Sequence, residues 1–330
     1  MHPAQMNPAG FFRRIPLLPH QMRTRMTATA DMIVLCHLGV PALDTAHWSL
    51  AVDGLVERPL HLKFADLTAY PKHAITSFHQ CAGSPLAPHE PTQRISNVRW
   101  AGALLADVLR DAKPAREAKF VWSRGADHGE FGGLAHEAYV KDLPIERVAR
   151  DVLIAYELND APLPPAHGYP ARLLVPGFYG TNSVKWLTRI ALAERRAEGA
   201  FTSRWYNDPA PDAHDGTSTV PVWSVAPQSV IVTPATGDTC ALNAPMEIWG
   251  WAWADEGITR VEVSADGGAS WSAAAVEARG ERSWQRFATS WRPARVGSAT
   301  LCCRAIAVSG ATQPMRGARN AVYCVEVKIA

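Results

Sequence analysis

"RLLVPGFYGTNSVKWLTRIALAERR", residues 172–196, sets a short apolar run, a Gly- and Asn-rich turn region and a second apolar run end to end. Runs this short, bounded by Gly, Pro and Asn, read as buried strands joined by a loop. Working outward, "RVARDVLIAYELND" (147–160) is apolar enough to be a buried strand, and "AKFVWSRGADHG" (118–129) reads as a strand entering a polar loop. "GALLADVLRDA" (102–112) places Leu104, Leu105, Val108 and Leu109 at helical spacing. "HWSLAVDGLVERPLHLKFADLTAYP" (47–71) reads as two strands around a Gly turn, then a capped turn stopped by Pro71. Strands and helices mix without regular βαβ spacing, so the expected class over 30–206 is α+β.

Character changes after Trp205. The segment 207–224 is rich in Pro, Asp, Ser and Thr, as a linker is. Beyond it come "SVIVTP", "MEIWGWAWAD", "ITRVEVSADGG", "WQRFATSW", "TLCCRAIAVSG" and "AVYCVEVKI", short alternating strands with turn signals between them. "ADGG" (265–268) is a hairpin turn. About seven strands in roughly 100 residues predict an all-β sandwich of immunoglobulin type over 225–330, folding as an autonomous unit.

The 330 residues carry a formal charge of +2, too mild a balance to imply nucleic acid as partner. No run of 18 apolar residues could span a bilayer. Residues 1–29 hold Arg13, Arg14, Arg23 and Arg25 and no acid, and are expected to lie along the surface as a basic arm. The twin arginine of "FFRRIPLLPHQM" lacks the continuous apolar segment an export signal needs, so a cytoplasmic location is expected. The six cysteines form no C-x-x-C pair, and no disulfide framework is expected. Cys302 and Cys303, adjacent in a strand, face opposite ways, one of them packing near Cys324.

Several motifs fail on inspection. "GTNSVKW" (180–186) has Val184 where a P-loop needs Gly before the lysine, although its backbone donors and Lys185 could hold a single phosphate. "HEAYV" (136–140) has Val140 where a zinc-protease helix needs its second histidine. Cys81, in "TSFHQCAGSPLAP" (76–88), stands alone between a strand and a turn. Its residues admit three readings: a small buried packing residue, a nucleophile served by His79 or His89, or a metal ligand.

A pattern spanning the chain separates these readings. In order, "CHLGVP", "WSLAVDGLVERPL", "QCAG", "RWAGALLADVL", "DVLIAYELND" with "PLP", "HGYPARLLVPGFYG" and "NSVKWL", and the terminal sandwich resemble the sulfite oxidase family of molybdopterin enzymes. The resemblance implies a molybdenum cofactor, with Cys81 of the CAG motif as the metal's thiolate ligand; soft sulfur suits that role. It implies cofactor contacts from His37, Asp127, His167, Arg172, Ser183, Val184 and Lys185, the two cations serving a phosphate. It implies Tyr206 as an active-site phenol and Arg316, in "MRGARN", as the sandwich's contribution to an anion pocket. It implies a homodimer formed through the sandwich, a small-molecule substrate and oxygen-atom transfer. It implies a separate electron carrier and no haem, since no C-x-x-C-H is present.

The departures concern the substrate. Leu35 and Cys36 precede His37 where the family has a sulfite-binding arginine, and Ser84-Pro85-Leu86 follow CAG where it has Asn-Arg-Arg. A dianion then loses positive partners. The sequence therefore predicts a substrate other than sulfite, neutral or singly charged and more apolar, unless Arg94, Arg99 or Arg316 reaches in. Rival readings are an S-oxide or N-oxide reductase on the same cofactor, and a cofactor-bearing protein without turnover.

Overall fold

The computed structural model describes residues 3–15, 17–83, 90–210 and 218–330, so Ser84-Pro85-Leu86, His89 and part of the expected linker lie outside the described residues. The chain forms two compact units. One gathers Met1–Arg14, Ile33–Ile75 and Arg99–Trp223; the other gathers Ile15–Met32, Thr76–Val98 and Ser224–Ala330.

In the first unit the strand Leu187–Ala193 lies between Phe120–Gly125, antiparallel to it, and Ser49–Gly54, parallel to it. Val140–Pro144 and Leu60–Lys63 complete this five-stranded sheet. Leu50, Val52, Val121, Leu143, Ile190 and Leu192 enter one apolar core. Gly54 has φ +81°, and a Cβ there would stand 2.3 Å from Leu192 O, so the turn admits only glycine. The helix Leu105–Ala112 buries Leu105, Val108 and Leu109, as its spacing predicts, and Lys113 ends it in the left-handed region. Leu153–Leu158 pairs with Arg172–Leu174 and with residues 100–104. The quoted stretch is thus strand, turn and strand.

The helices among the described residues are few and short: Phe64–Ala69, Leu105–Ala112 and Ile145–Val148. The unit is mostly β rather than the α+β mixture expected; Pro71 and Pro114 lie just past the first two helices and bar their extension. None is long and apolar enough to cross a membrane.

The second unit carries eight strands in the order Gln228–Thr233, Met246–Trp253, Gln285–Trp291, Ser272–Val276, Ile258–Ser264, Gly297–Ala307, Val325–Ile329 and Thr239–Cys240. The strands Ile258–Ser264 and Ser272–Val276 form the hairpin predicted at ADGG, with Asp266 accepting from Ser264 Oγ and Ser270 N. Two findings differ from the sequence reading. Cys302 and Cys324 are joined in a disulfide, while Cys303, one residue on and facing the other way, is a buried free thiol pushed up to about 12 by burial. Spacing alone does not reveal that a long connection brings Cys324 back to Cys302.

The N-terminal residues are not an arm. Met6–Ala9 pairs with Gly39–Pro41 and Phe12–Arg14 pairs with Val34–Cys36. Met22 is buried in the second unit, where its carbonyl accepts from Trp251 Nε1 at 2.7 Å, and Arg25 O accepts from Trp284 Nε1 at 2.9 Å. The Trp251 and Trp284 rings stack with centroids 4.8 Å apart. Nor does the sandwich reach completion with 225–330 alone: that piece would strand both indole N–H groups, each costing about 1–3 kcal/mol. The isolated 225–330 segment should show red-shifted tryptophan emission and a urea midpoint below that of this unit in the whole chain. Equal midpoints would show that the earlier segments contribute nothing.

Candidate cofactor and active site

In the first unit the site grows from the ends of the quoted strands. Arg172 opens the strand Arg172–Leu174, opposite Ala155, with its side chain buried. Its guanidinium donates to His167 O at 3.0 Å and Ser183 O at 2.8 Å and lies 4.9 Å from the Trp100 ring centroid. Lys185 Nζ, across the turn, donates to Leu35 O at 3.0 Å, Cys36 Sγ at 2.9 Å and Ala166 O at 3.0 Å. Burial pulls down the pKa of both groups, and among the described residues neither has a hydrogen-bonded carboxylate. Gly168 (φ +108°) makes their approach possible, because a Cβ there would stand 3.0 Å from Arg172 Cβ and 3.1 Å from Lys185 Cβ.

Two polar atoms at this place have no partner among the described residues: His167 Nε2 and Asp127 Oδ1. Burial, then Lys185, Arg172 and Arg14, bring the His167 pKa down to about 3, so the ring is neutral. Burial pushes Asp127 up to about 7 against the opposing pull of Lys185. Ser183 Oγ accepts from Val175 N at 3.0 Å, and Val184 sits in the apolar core with its carbonyl taken by Leu173 N. Val184 therefore has only backbone to offer. The set is a buried cation, Arg172, a half-buried one, Lys185, and a carboxyl and a neutral imidazole with open hydrogen-bonding positions. It fits an anionic, heteroatom-rich group such as a pterin phosphate.

His37 follows the strand Val34–Cys36 and stacks on Tyr139, centroids 5.4 Å apart, with Phe131 and Phe201 edge-on. Its Nε2 meets Tyr206 Oη at 2.6 Å. Burial and then Lys185, His136 and Lys141 bring His37 down to about 3, so it is a neutral partner for the phenol. Tyr206 adopts φ +59°, a left-handed conformation that tyrosine rarely takes and that fixes its ring. Lys141, buried beneath, donates to Phe201 O at 2.9 Å and stands 5.4 Å from the Tyr206 ring centroid, its pKa lowered to about 8 by burial. The sequence reading missed Lys141 and this group of rings, since they come from strands and loops far apart in the chain.

In the second unit Cys81 follows the strand Lys72–Gln80, and its N–H donates to Arg94 O at 2.9 Å. The thiol is half-buried; burial pushes its pKa up, while the Gly83 backbone, Arg94 and Arg319 pull the other way. Arg94 hydrogen-bonds the thiol, and Arg319 donates to Ala82 O. Arg316, the residue singled out from sequence, is exposed and has no hydrogen bond or ion pair among the described residues. Arg99 is paired with Asp160 in the first unit. Arg319 could have been flagged by its nearness to Arg316, whereas Arg94 stands out only as a cation thirteen positions after Cys81.

A mostly-β fold with a cation pair beside two unpartnered polar atoms fits a molybdopterin-type oxidoreductase. Comparison with known proteins makes the family plain. Residues 37–201 match the oxidoreductase molybdopterin binding domain and residues 220–326 the Mo-co oxidoreductase dimerisation domain, so the chain belongs to the sulfite oxidase family of molybdenum-dependent oxidoreductases. It is 33% identical to the mitochondrial sulfite oxidase of Rattus norvegicus over 95% of its own length and 62% of that protein's. It is 31% identical to the NAD(P)H nitrate reductase of Hordeum vulgare over 84% of its length and 35% of that enzyme's. Among solved structures, the sulfane dehydrogenase SoxCD of Paracoccus pantotrophus matches at a TM-score of 0.77 and 28% identity, covering 94% of this chain and 85% of that one. The chain spans less than two thirds of the length of the sulfite oxidase from rat.

Asp127 yields a pH signature in the cofactor-free protein. Its folded pKa of about 7 exceeds the ordinary 3.8, so folding takes up a proton between those values and stability falls as pH rises through that window. The slope from this group is at most about 1.4 kcal/mol per pH unit. Asp127→Asn should remove it, leaving the opposite contributions of His37 and His167 intact. Urea unfolding across the window checks this, and identical slopes in both proteins would refute the assignment.

Proposed function

We propose that this chain is a molybdenum-cofactor enzyme that moves an oxygen atom to or from a small sulfur- or nitrogen-containing substrate, with Cys81 as the metal's thiolate ligand. The observation that carries the reading is the pair of unpartnered buried atoms, His167 Nε2 and Asp127 Oδ1, beside Arg172 and Lys185. Buried polar atoms are mostly paired, and two unpaired ones beside two cations mark a place suited to a polar, anionic group. His167, Asp127, Arg172, Lys185 and the Ser183-Val184 backbone would hold the pterin and its phosphate. When bound, the cofactor supplies oxygen-atom transfer and two-electron redox chemistry. His37 holds the Tyr206 hydroxyl in place, so the phenol can donate to an oxygen that gains charge.

The unit containing 225–330 is read as an immunoglobulin-type sandwich that pairs two copies of the chain, supported by its strand succession and the dimerisation-domain match. The likeness to a nitrate reductase supports a second reading, in which the transfer runs from substrate to metal. The Cys302–Cys324 disulfide supports a disulfide-permissive compartment over the cytoplasm expected from composition. Electrons leave to, or arrive from, a separate carrier.

Purified protein should contain molybdenum stoichiometric with the chain and show a visible thiolate-to-metal band. Cys81→Ser should abolish the band and turnover while sparing the fold, since one sulfur-to-oxygen change at a half-buried loop position is a small packing loss. A Cys81→Ser protein with full activity would end the ligand assignment. Tyr206→Phe should keep metal and band but lower kcat by about 100-fold. Unchanged kcat would reduce Tyr206 to a packing residue.

A further inference from the structure

Lys141 stands in the strand Val140–Pro144, at the edge of the five-stranded sheet, where a lysine ordinarily reaches into solvent. Here no part of it is exposed. The single helical turn Ala200–Arg204 covers this edge: Thr202 Oγ1 donates to Val140 O at 3.1 Å, and Lys141 Nζ donates to Phe201 O at 2.9 Å. The same turn leads into Tyr206, whose ring centroid lies 5.4 Å from Nζ. Asp142, next in the strand, is engaged elsewhere. Its carboxylate accepts from Arg196 Nε and Nη2, each at 3.0 Å, and from Ala197 N at 2.9 Å. Among the described residues Lys141 therefore has a carbonyl as acceptor and an aromatic face as neighbour, and no hydrogen-bonded carboxylate. Burying an ammonium in this way costs free energy that an apolar residue of similar size would not.

We propose that Lys141 is a positioning residue that acts through Tyr206: its charge, held against the ring, favours negative charge on the phenol oxygen and strengthens the hydrogen bond Tyr206 gives to the reacting oxygen. The inference rests on the reading of Tyr206 as the phenol that meets that oxygen. The ring is then held from two sides, by His37 Nε2 at the hydroxyl, 2.6 Å away, and by the ammonium at its face. Where solvent is excluded, a charge at this distance is little screened. Of the other titratable groups, His136 and Lys185 act on His37, which stays neutral. Asp142 and Arg196 act on Lys141, the acid raising its pKa and the arginine lowering it. Burial dominates and brings Lys141 down to about 8, so its help is present below that pH and is lost above it.

The first readout does not need turnover. The whole purified protein, isotope-labelled at tyrosine Cζ, is followed by NMR across pH, the Tyr206 signal being the one lost in Tyr206→Phe. In the parent that signal should move in a step at about pH 8, as Lys141 loses its proton. Lys141→Gln, which keeps a donor for Phe201 O but no charge, should abolish the step. Lys141→Arg should abolish it too, with the signal held at its low-pH position. With molybdenum content matched, kcat is then measured on whichever of sulfite, nitrate and dimethyl sulfoxide is turned over. Below that pH, Lys141→Gln should lower kcat by about three- to tenfold with KM unchanged, and Lys141→Arg should restore it. In the Tyr206→Phe background, Lys141→Gln should lower kcat no further, because the charge has no hydroxyl left to act on. A parent signal without a step, or a step that survives Lys141→Gln, overturns the inference. Equal losses of kcat in the Gln and Arg variants overturn it as well, since they mark a structural role. A step that follows Lys141 in a protein that takes up no molybdenum would overturn the cofactor reading and leave the coupling of Lys141 to Tyr206 standing.

Discussion

The Gln80 side chain donates to Asn320 Oδ1 and accepts from Trp253 Nε1, with no part of it exposed, and much of the second unit's chemistry hangs on that position. Gln80 ends a strand and Asn320 sits in a turn 240 residues away, at φ +63°. Asn320 Nδ2 donates in turn to Ala226 O at 2.9 Å, and Gln313 Nε2 donates to Asn320 O at 3.0 Å. Because each member is buried, losing one leaves others stranded, and a stranded group costs more than the bond itself was worth. The network gives uniqueness where apolar packing alone would tolerate a shift of the loop. Cys81 inherits that precision from the residue before it, and Arg319 from the residue after it.

The first unit handles charge differently. Arg172 and Lys141 are buried and Lys185 half-buried, and among the described residues each is met by backbone carbonyls, with a thiol added at Lys185, rather than by a hydrogen-bonded carboxylate. Carbonyl dipoles stabilise a cation without neutralising it, so the site keeps net positive charge. Asp127, the acid that acts on Lys185, is pushed toward its neutral form by burial. Histidines 37 and 167 are held neutral, which prevents them from adding to an already positive pocket. Such a place is costly when empty and favourable when an anion enters.

Local patterns foretold much of this. The helix 105–112, the strands around Gly54, the ADGG hairpin and the strand-turn-strand of 172–196 follow from periodicity and turn residues that act within a few positions. His167, Arg172 and Lys185 could be singled out because one short motif carries them. What escaped depends on long-range return of the chain. The N-terminal residues look like a basic arm until Phe12–Arg14 finds Val34–Cys36. Arg94 is legible in the sequence as a cation that could reach in, but Arg319 stands beside the Cys81 loop only once Asn320 is placed. Lys141 reads as a solvated lysine in sequence because its alternation in the strand Val140–Pro144 is broken: three consecutive residues there are buried.

The disulfide spans 22 residues, and both Arg316 and Arg319 lie inside the loop it closes. Its Cys302 end is rooted in the long strand Gly297–Ala307, while the arginines ride on the irregular stretch before Cys324. Cutting the cross-link frees that stretch at one end and returns conformational entropy to it, leaving the Asn320 contacts and the Arg319 bond to Ala82 O among those that hold it. In a strongly reducing medium that stretch would then be held less firmly, with the covalent structure around Cys81 unchanged. Thiol reductants, routinely added during purification to protect a free cysteine such as Cys81, would in this protein also open the loop that carries Arg316 and Arg319.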